Sequence, residues 1–399
     1  MSRPLAGVRV LDLTHILSGP FATMTLADLG AEVVKIEPPE GERTRRLLAD
    51  DPRHSIAGMG AYFLCLSRNK KSLVIDLKAE AGRELFHELV RKADIVCDNF
   101  SVGVTTKLGI DHDRLAAINP RIITCSISGF GETGPGRNRT AFDQVVQAYG
   151  GNMSITGFDA DHPLRSGLPI ADLGGSLFGL VGILTALYER ERSGLGQHLD
   201  ISMLDGQIAM MSYMATMYFL SGEDPEPIGN SHFVHVPYNS FATSDGAIVI
   251  AVIFDEFWQS LLDVLGADDL RRTEFDRQPG RLASKKLIED RVAEIFATDT
   301  TAHWLAKLEA VRIPCAPVNR FSQALADPQV RHRDMVVEVG HPDGGRTFAP
   351  GNPVKLSRSD PATFAPAPTL GQHNDEVMRE WLGLDDAGIA RWREAGATR

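Results

Sequence analysis

The chain has 399 residues, room for two or three domains at roughly 150 residues each, and its 43% hydrophobic and 23% charged content is that of an ordinary globular protein. Wholesale disorder and coiled-coil or collagen-like architecture are excluded. With 41 Lys+Arg against 52 Asp+Glu the net charge is −11, so nucleic acid and anionic membranes are repelled in bulk and an acidic ligand needs a dedicated site.

The spacing predicts a strand over Val8–Leu13, a helix over Pro20–Leu29 stopped by Gly30, and a strand over Ala31–Ile36. The alternation continues with strand Ser72–Ile75, amphipathic helix Ala79–Lys92, strand Asp94–Cys97, helix Leu115–Ile118 and strand Ile122–Ile127. Such a βαβ series predicts a mostly parallel sheet wrapped by helices. Gly129–Arg139 is rich in Gly, Arg and Asn and reads as a long loop, the kind that binds ligands at the carboxyl ends of parallel strands. Helical spacing returns over Thr140–Gly150 and Leu173–Glu191, followed by strand Gln197–Ile201 and one Met-rich helix, Met203–Leu220, read as core filler. The acidic segment Ser221–Gly229, with Pro225 and Pro227, is a linker. Beyond it, Tyr238–Thr243 and Ala247–Val252 form a hairpin about Ser244-Asp245-Gly246. Helices follow near Glu256–Leu265, Ser284–Phe296 and Ala302–Val311, then an extended run at Ile313–Val318 and a Pro-rich strap at Pro361–Pro368.

Leu177–Tyr188 and Ile208–Leu220 are the most apolar runs; both fall short of the roughly 20 residues that cross a bilayer and read as buried helices. Met1–Gly7 leads into no long apolar stretch, so export is not expected. Cys65, Cys97, Cys125 and Cys315 are widely spaced without a CxxC pair, which fits reduced thiols and a cytoplasmic location.

The first βα turn, Thr14-His15-Ile16-Leu17-Ser18-Gly19-Pro20, places Ser18 as an N-cap and Pro20 at the first helical position, a helix start able to receive an anion. It lacks the GxGxxG spacing, and no GxxxxGK[ST] occurs in the chain, so dinucleotide and P-loop chemistry lose their support. On its own, His15 is better read as a turn histidine. Basic residues gather at Arg43, Arg45 and Arg46, at Arg68, Lys70 and Lys71, and at Arg137 and Arg139; jointly they suggest a polyphosphate clamp, singly they read as solvated charges. Asp172 opens a helix behind Pro169 and before Gly174 and Gly175. It is either a cap or a carboxylate kept ionised by backbone donors, with glycines leaving room for substrate. Spacing does not separate the two.

The opening Pro4–His15 resembles the start of class III (CaiB/BaiF-type) coenzyme A transferases, the family of formyl-CoA transferase and carnitine CoA-transferase. Further matches in family order are Gly30–Glu37, Asn69–Ser72, Asp98-Asn99-Phe100, Ser128–Gly131, Ala171-Asp172, Gly194–Gln197, Ile313-Pro314-Cys315 and Leu370–His373. The resemblance implies an α/β fold with a large doubly wound, Rossmann-like domain, 1–220 completed by 325–399, a linker 221–229, and a small α+β domain, 230–324. It implies that two subunits interlock as a homodimer. It also implies an EC 2.8.3 transferase, with coenzyme A and acyl-CoA as substrates, no tightly bound cofactor and no metal, nucleic-acid or membrane partner.

Asp172 matches the family's catalytic aspartate, which carries an aspartyl anhydride and then an aspartyl-CoA thioester. The family's CoA contacts fall at His15, Leu17 and Ser18, at Ile75, Asp76, Leu77 and Lys78, at Asn99, Phe100 and Ser101, at Lys107, and at Thr140, Ala141, Phe142 and Asp143. Pro38 stands where formyl-CoA transferase has an arginine, a role offered here to Arg43 or Arg45. Phe142 occupies the position of the histidine that racemases of this fold need, and a phenyl ring exchanges no proton, so a racemase or epimerase ranks behind a transferase. A non-catalytic acyl-CoA-binding subunit is the other alternative, against which Asp172 argues. The second domain lacks the Gly-rich lid of formyl-CoA transferase, which disfavours a dedicated formyl/oxalate enzyme. His232, His235 and Tyr238 are either ordinary loop residues or lining for a distal carboxylate, which motivates a dicarboxylate acceptor with succinyl-CoA as donor.

Overall fold

A computed structural model describes residues 3–360 and 362–399. Met1 and Ser2 of the amino-terminal stretch and Pro361 of the Pro-rich strap lie outside the described residues. The chain forms two compact units. The first comprises the chain up to Asn152, Arg165–Gly222 and Gln329–Arg399; the second comprises Met153–Leu164 and Glu223–Pro328. Met153–Leu164 thus belongs with the second unit, although the sequence order places it inside the first.

The first unit is built on six parallel strands: β1 (Arg9–Asp12), β2 (Glu32–Glu37), β3 (Lys70–Val74), β4 (Ile95–Asp98), β5 (Ile123–Ser128) and β6 (His198–Ser202). Their order across the sheet is β3-β2-β1-β4-β5-β6. This doubly wound order reverses direction between β1 and β4, the point at which such sheets open a ligand crevice. Neighbouring residues divide between the two faces, as a two-residue period requires. Leu11, Val34 and Val96 enter one core with Phe86, Leu89, Met378 and Trp381, while Val10, Val33 and Ile95 enter the other with Leu26, Ile127 and Ile183. Both cores are near-continuous β-branched and aliphatic packing, which is why the strands read clearly in the sequence.

The outer edge of the sheet, β3, is closed by the carboxyl-terminal tail. The Gly371 N–H donates to Ser72 Oγ (2.9 Å), the His373 N–H to the Ser72 carbonyl (3.0 Å), and Asn374 Oδ1 accepts from the Val74 N–H (2.9 Å). An edge whose amides are taken in this way offers no template to another strand. Ahead of it, the strap bonds to the turn before β3: Ala365 donates its N–H to Asn69 Oδ1 (2.7 Å) and accepts the Asn69 N–H (3.1 Å).

Two long apolar segments differ from expectation. The run expected at Leu173–Glu191 is a 24-residue helix, Ile170–Ser193, long and apolar enough to cross a membrane by length and composition. Here one side lies on the sheet, with Gly175 and Gly179 against Ile127, and its buried Arg190 pairs with Asp94. The opposite side is not buried: Leu177, Phe178, Val181, Leu184 and Tyr188 are exposed. The expected single helix Met203–Leu220 is two, Met203–Met211 and Tyr213–Ser221, broken at Ser212, whose φ of 50° and ψ of −123° no helix accommodates. No residue of the second piece is buried, so its methionines are surface rather than core.

The Gly194–Gln197 turn joins the long helix to β6. Gly194 takes the left-handed cap (φ 74°), and a Cβ on Gly196 would stand 1.9 Å from the Ile122 carbonyl oxygen, a space only hydrogen fills.

The second unit carries a three-stranded antiparallel sheet, Cys315–Pro317 beside Ala247–Ala251 beside Tyr238–Ala242. The hairpin register pairs Ala242 with Ala247 around the expected turn. Helices Asp255–Leu265, Lys285–Phe296 and Thr301–Ala310 cover it through Trp258, Phe296 and Trp304.

Candidate active site

Three loops leave the carboxyl ends of β1, β4 and β5 at the switch point. The first turn is held to the end of β4 by a reciprocal pair: the His15 N–H donates to Asn99 Oδ1 (2.7 Å) and Asn99 Nδ2 donates to the His15 carbonyl (2.7 Å). The next residue, Ile16, is left-handed at φ 66°, a strained state for a β-branched side chain, and its N–H is tied to Glu42 Oε1 (3.2 Å). Burial opposes ionisation of Glu42, but bonds from His15, Thr44 and the Ile16 N–H and the Lys35 charge outweigh it and hold the carboxyl at about 2. The turn is therefore a fixed backbone platform.

Beneath the turn, Asp12 and Lys70 form a fully buried ion pair (2.8 Å), with Asp12 also accepting from Thr14 and Thr23. The Lys70 and Lys35 charges and these bonds overcome the burial of Asp12 and keep it well below the usual carboxylate range.

Above the platform lies a cavity of about 340 Å³, lined by His15, Ile16 and Ser18 of the first turn, Asn99–Val102 after β4, Ser128–Phe130 and Arg137–Arg139 of the loop after β5, and Thr140, Ala141, Phe142, Met203 and Asp172. A second cavity shares His15 and Phe100 with it and is walled by Pro38–Glu40 and Ile75–Lys78. Arg139 rests over the rings of Tyr149 (5.0 Å) and Phe130 (5.9 Å), which limits its freedom.

Asp172 is half-buried in the first turn of the Ile170–Ser193 helix. That helix has Pro169 at its N-cap and no side-chain cap of its own. Its free amides are taken instead by Asp143, whose Oδ1 accepts the N–H groups of Ala171 (2.9 Å) and Asp172 (3.2 Å). Burial, and then the Asp143 charge, push the Asp172 carboxyl up to about 6. This corrects the expectation that backbone donors keep Asp172 ionised: those donors serve Asp143. The glycines beyond it are also occupied, because a Cβ on Gly174 would meet Met210 Cε at 2.6 Å and one on Gly175 meets Met203 and Ile127. They serve helix packing rather than substrate access. Ser176 ties the helix to the first one, donating to the Asp172 carbonyl (2.8 Å) and to that of Ser18. The first helix starts at Ser18, two residues before the expected Pro20, with Leu17 as its N-cap, so Ser18 is not the cap.

Of the residues singled out from the sequence, His15, Ser18, Asn99, Phe100, Ser101, Thr140, Ala141, Phe142 and Asp172 share the first cavity, and Ile75, Asp76, Leu77 and Lys78 line the second. Leu17 and Asp143, both half-buried, and exposed Lys107 line neither. His232, His235 and Tyr238 belong to the second unit, where the His232 ring stacks on Tyr238 (5.1 Å) and its Nδ1 accepts the N–H groups of Val234 and His235. Burial and the nearby His235 and Lys285 lower its basicity, so it is a neutral ring built into its own loop.

The basic clusters largely resolve into structural pairs. Arg45 grips Glu37 through two 2.6 Å bonds, Arg68 pairs with Asp28 (2.7 Å), and Lys71 bridges Glu32, Glu376 and Glu380. Arg45 is thus committed and does not replace the arginine absent at Pro38. Only Arg137 and Arg139 of those clusters line the cavity, together with Asn138 and Phe130 of the same Gly129–Arg139 loop, which the sequence marked as a ligand-binding loop without singling out these two as site residues. The loop's position after a parallel strand was the available signal.

The switch-point cavity of this doubly wound sheet presents two arginines and one carboxylate pushed up to about 6, an arrangement suited to group transfer on an anionic substrate. The chain belongs to CoA-transferase family III, whose family model matches residues 5–374. It is 37% identical to an acetyl-CoA:oxalate CoA-transferase of Acetobacter aceti, over 95% of this chain and 96% of that one. It is 34% identical to the human succinyl-CoA:glutarate CoA-transferase, over 99% and 90%. Among solved structures, a CaiB/BaiF family protein from Brucella suis superposes with a TM-score of 0.86 at 34% identity, covering 96% of this chain and all of that one. The protein is a CoA-transferase.

Proposed function

We propose that the chain moves CoA from succinyl-CoA to a dicarboxylic acid through covalent intermediates on Asp172. The observation that carries this is a single elevated carboxylate lining the switch-point cavity. The carboxylate attacks the donor thioester carbonyl; a C–O bond forms, the C–S bond breaks, and CoA leaves as the thiolate from a mixed anhydride. The thiolate then attacks the aspartyl carbonyl, releasing the donor acid and leaving an aspartyl-CoA thioester. The acceptor carboxylate attacks that thioester and frees the thiolate, which takes the new acyl group and regenerates Asp172. The first-turn amides, Arg137 and Arg139 suit the anionic parts of CoA, and the Ile75–Lys78 wall suits the continuation of the same ligand. Phe142, 70% exposed on the cavity wall, gives no proton to a racemase pathway. The names of the relatives support the substrate class, since oxalate and glutarate are both dicarboxylates. Oxalate therefore belongs in the acceptor panel despite the missing Gly-rich lid.

The exposed apolar side of the Ile170–Ser193 helix supports a dimer in which a second copy covers it, as in the interlocked arrangement expected of the family.

The test is intact mass after incubation with succinyl-CoA, with and without hydroxylamine, for wild type and Asp172→Ala. A CoA-sized adduct, absent from the variant, is expected. An adduct that persists in Asp172→Ala, or tight CoA binding with no adduct from any donor, overturns the assignment.

A further inference from the structure

Asp143 is the residue that geometry links most directly to Asp172, although 29 positions separate them. Its Oδ1 holds the Ala171 and Asp172 N–H groups, and its Oδ2 accepts from Gln147 Nε2 (2.6 Å). Gln147 is fully buried and its Oε1 in turn accepts from the Ser166 N–H (2.9 Å) and Asn152 Nδ2 (3.0 Å), so the carboxylate cannot swing away without breaking a network. Every oxygen of Asp143 is thereby used on protein donors, and the residue does not line the cavity.

We infer that Asp143 is a positioning residue for Asp172: it caps the helix start from a different helix and places beside the free nucleophile a negative charge whose repulsion vanishes when Asp172 is acylated. The inference rests on the covalent role proposed above. Its physical content is differential. Two neighbouring carboxylates repel in the free enzyme, whereas the anhydride and the aspartyl-CoA thioester are uncharged at Asp172, so the pair favours the covalent states and sharpens the nucleophile. After burial, the Asp143 charge is what displaces the Asp172 carboxyl upward. The other charged or titratable groups lining the cavity are His15 on the first turn and Arg137 and Arg139 on the loop. Asp205, the sole charged residue of the packed helix Met203–Met211, does not line it.

The experiment compares wild type, Asp143→Asn and Asp143→Ala, each checked for folding by thermal unfolding and CoA binding. The asparagine keeps an acceptor for the two N–H groups and removes the charge; the alanine removes both. In both variants the acid limb of kcat/KM should move to lower pH by about one unit, and the fraction of enzyme trapped as the CoA adduct at fixed donor should fall about tenfold. The alanine variant alone should also lose kcat through misplacement of Asp172. An unmoved acid limb in a folded Asp143→Asn enzyme, with or without lower kcat, overturns the inference and leaves Asp143 as a cap only. Failure of the underlying assignment is read separately, because Asp172→Ala would then still form the adduct.

Discussion

Replacing Lys70 with methionine should unlock the first turn. The Lys70 ammonium is wholly buried and bonds Asp12 Oδ2 (2.8 Å), Thr23 Oγ1 (2.8 Å) and the Pro20 carbonyl (3.2 Å), joining β1, the first helix and β3. Methionine fills similar volume but strands the Asp12 charge. Breaking one side of a buried pair costs about 3–5 kcal/mol. Asp12 keeps bonds from the Thr14 N–H, Thr14 Oγ1 and Thr23 Oγ1, and Lys35 remains close with its Nζ on the Thr14 carbonyl, which puts the loss near the lower end, about 3 kcal/mol. Because the folded value of Asp12 is depressed, its stabilisation is complete above the ordinary carboxylate range and is lost only as pH falls through the lower folded value; at pH 7 the whole effect is present. Amide hydrogen exchange read by mass spectrometry over Arg9–Asp12 and Ser18–Asp28 should then quicken by about 150-fold, the equivalent of 3 kcal/mol. The double variant Asp12→Leu with Lys70→Met removes the stranded charge and should recover most of the protection. Acceleration under tenfold in the single variant, or a double variant as labile as the single, refutes the reasoning.

Three further outcomes are expected. With Asp172 near 6, the ionised fraction falls about tenfold between pH 7 and pH 5, so kcat/KM should show an acid limb there; a profile flat to pH 5 would mean that an unperturbed carboxylate reacts. Val181→Asp on the exposed side of the long helix should shift the protein to monomer in sedimentation velocity, with Tyr62→Asp, exposed elsewhere, as the unchanged control. Gly196→Ala should lower the unfolding free energy by about 1–3 kcal/mol, read as a lower urea midpoint at unchanged m-value, since the methyl group needs the Ile122 carbonyl to move; an unchanged urea midpoint argues against that contact.

What the sequence disclosed follows from what is local. Strands with two buried faces are rich in β-branched and aliphatic residues, and every strand expected in the parallel sheet exists within a few residues of its expected limits. The cavity was legible where its residues lie on consecutive turns after strands. Pairings across distance were not. Arg45, Arg68 and Lys70 look like free charges in a string, yet their partners Glu37, Asp28 and Asp12 reach them only through the sheet and its helices. The cap on the Asp172 helix was hidden for the same reason: a local N-cap has a spacing rule, and a carboxylate from another helix has none. The long helix read as buried because its sequence is apolar on every side, and no pattern distinguishes a side that packs on the sheet from one left exposed. The break at Ser212 has no marker, since neither glycine nor proline stands there.

The closure of β3 also sets a timetable. The Val74 N–H finds its acceptor on Asn374, 300 positions later in the chain. At a synthesis rate of about 5–20 residues per second, β3 leaves the ribosome about 15–60 s before the segment that covers it. Throughout that interval a nascent chain exposes an open strand edge flanked by apolar residues, the surface that chaperones bind and that aggregates recruit. Translation that stops short of Gly371 makes the exposure permanent, so loss of the last helices should be felt first in the yield of soluble protein.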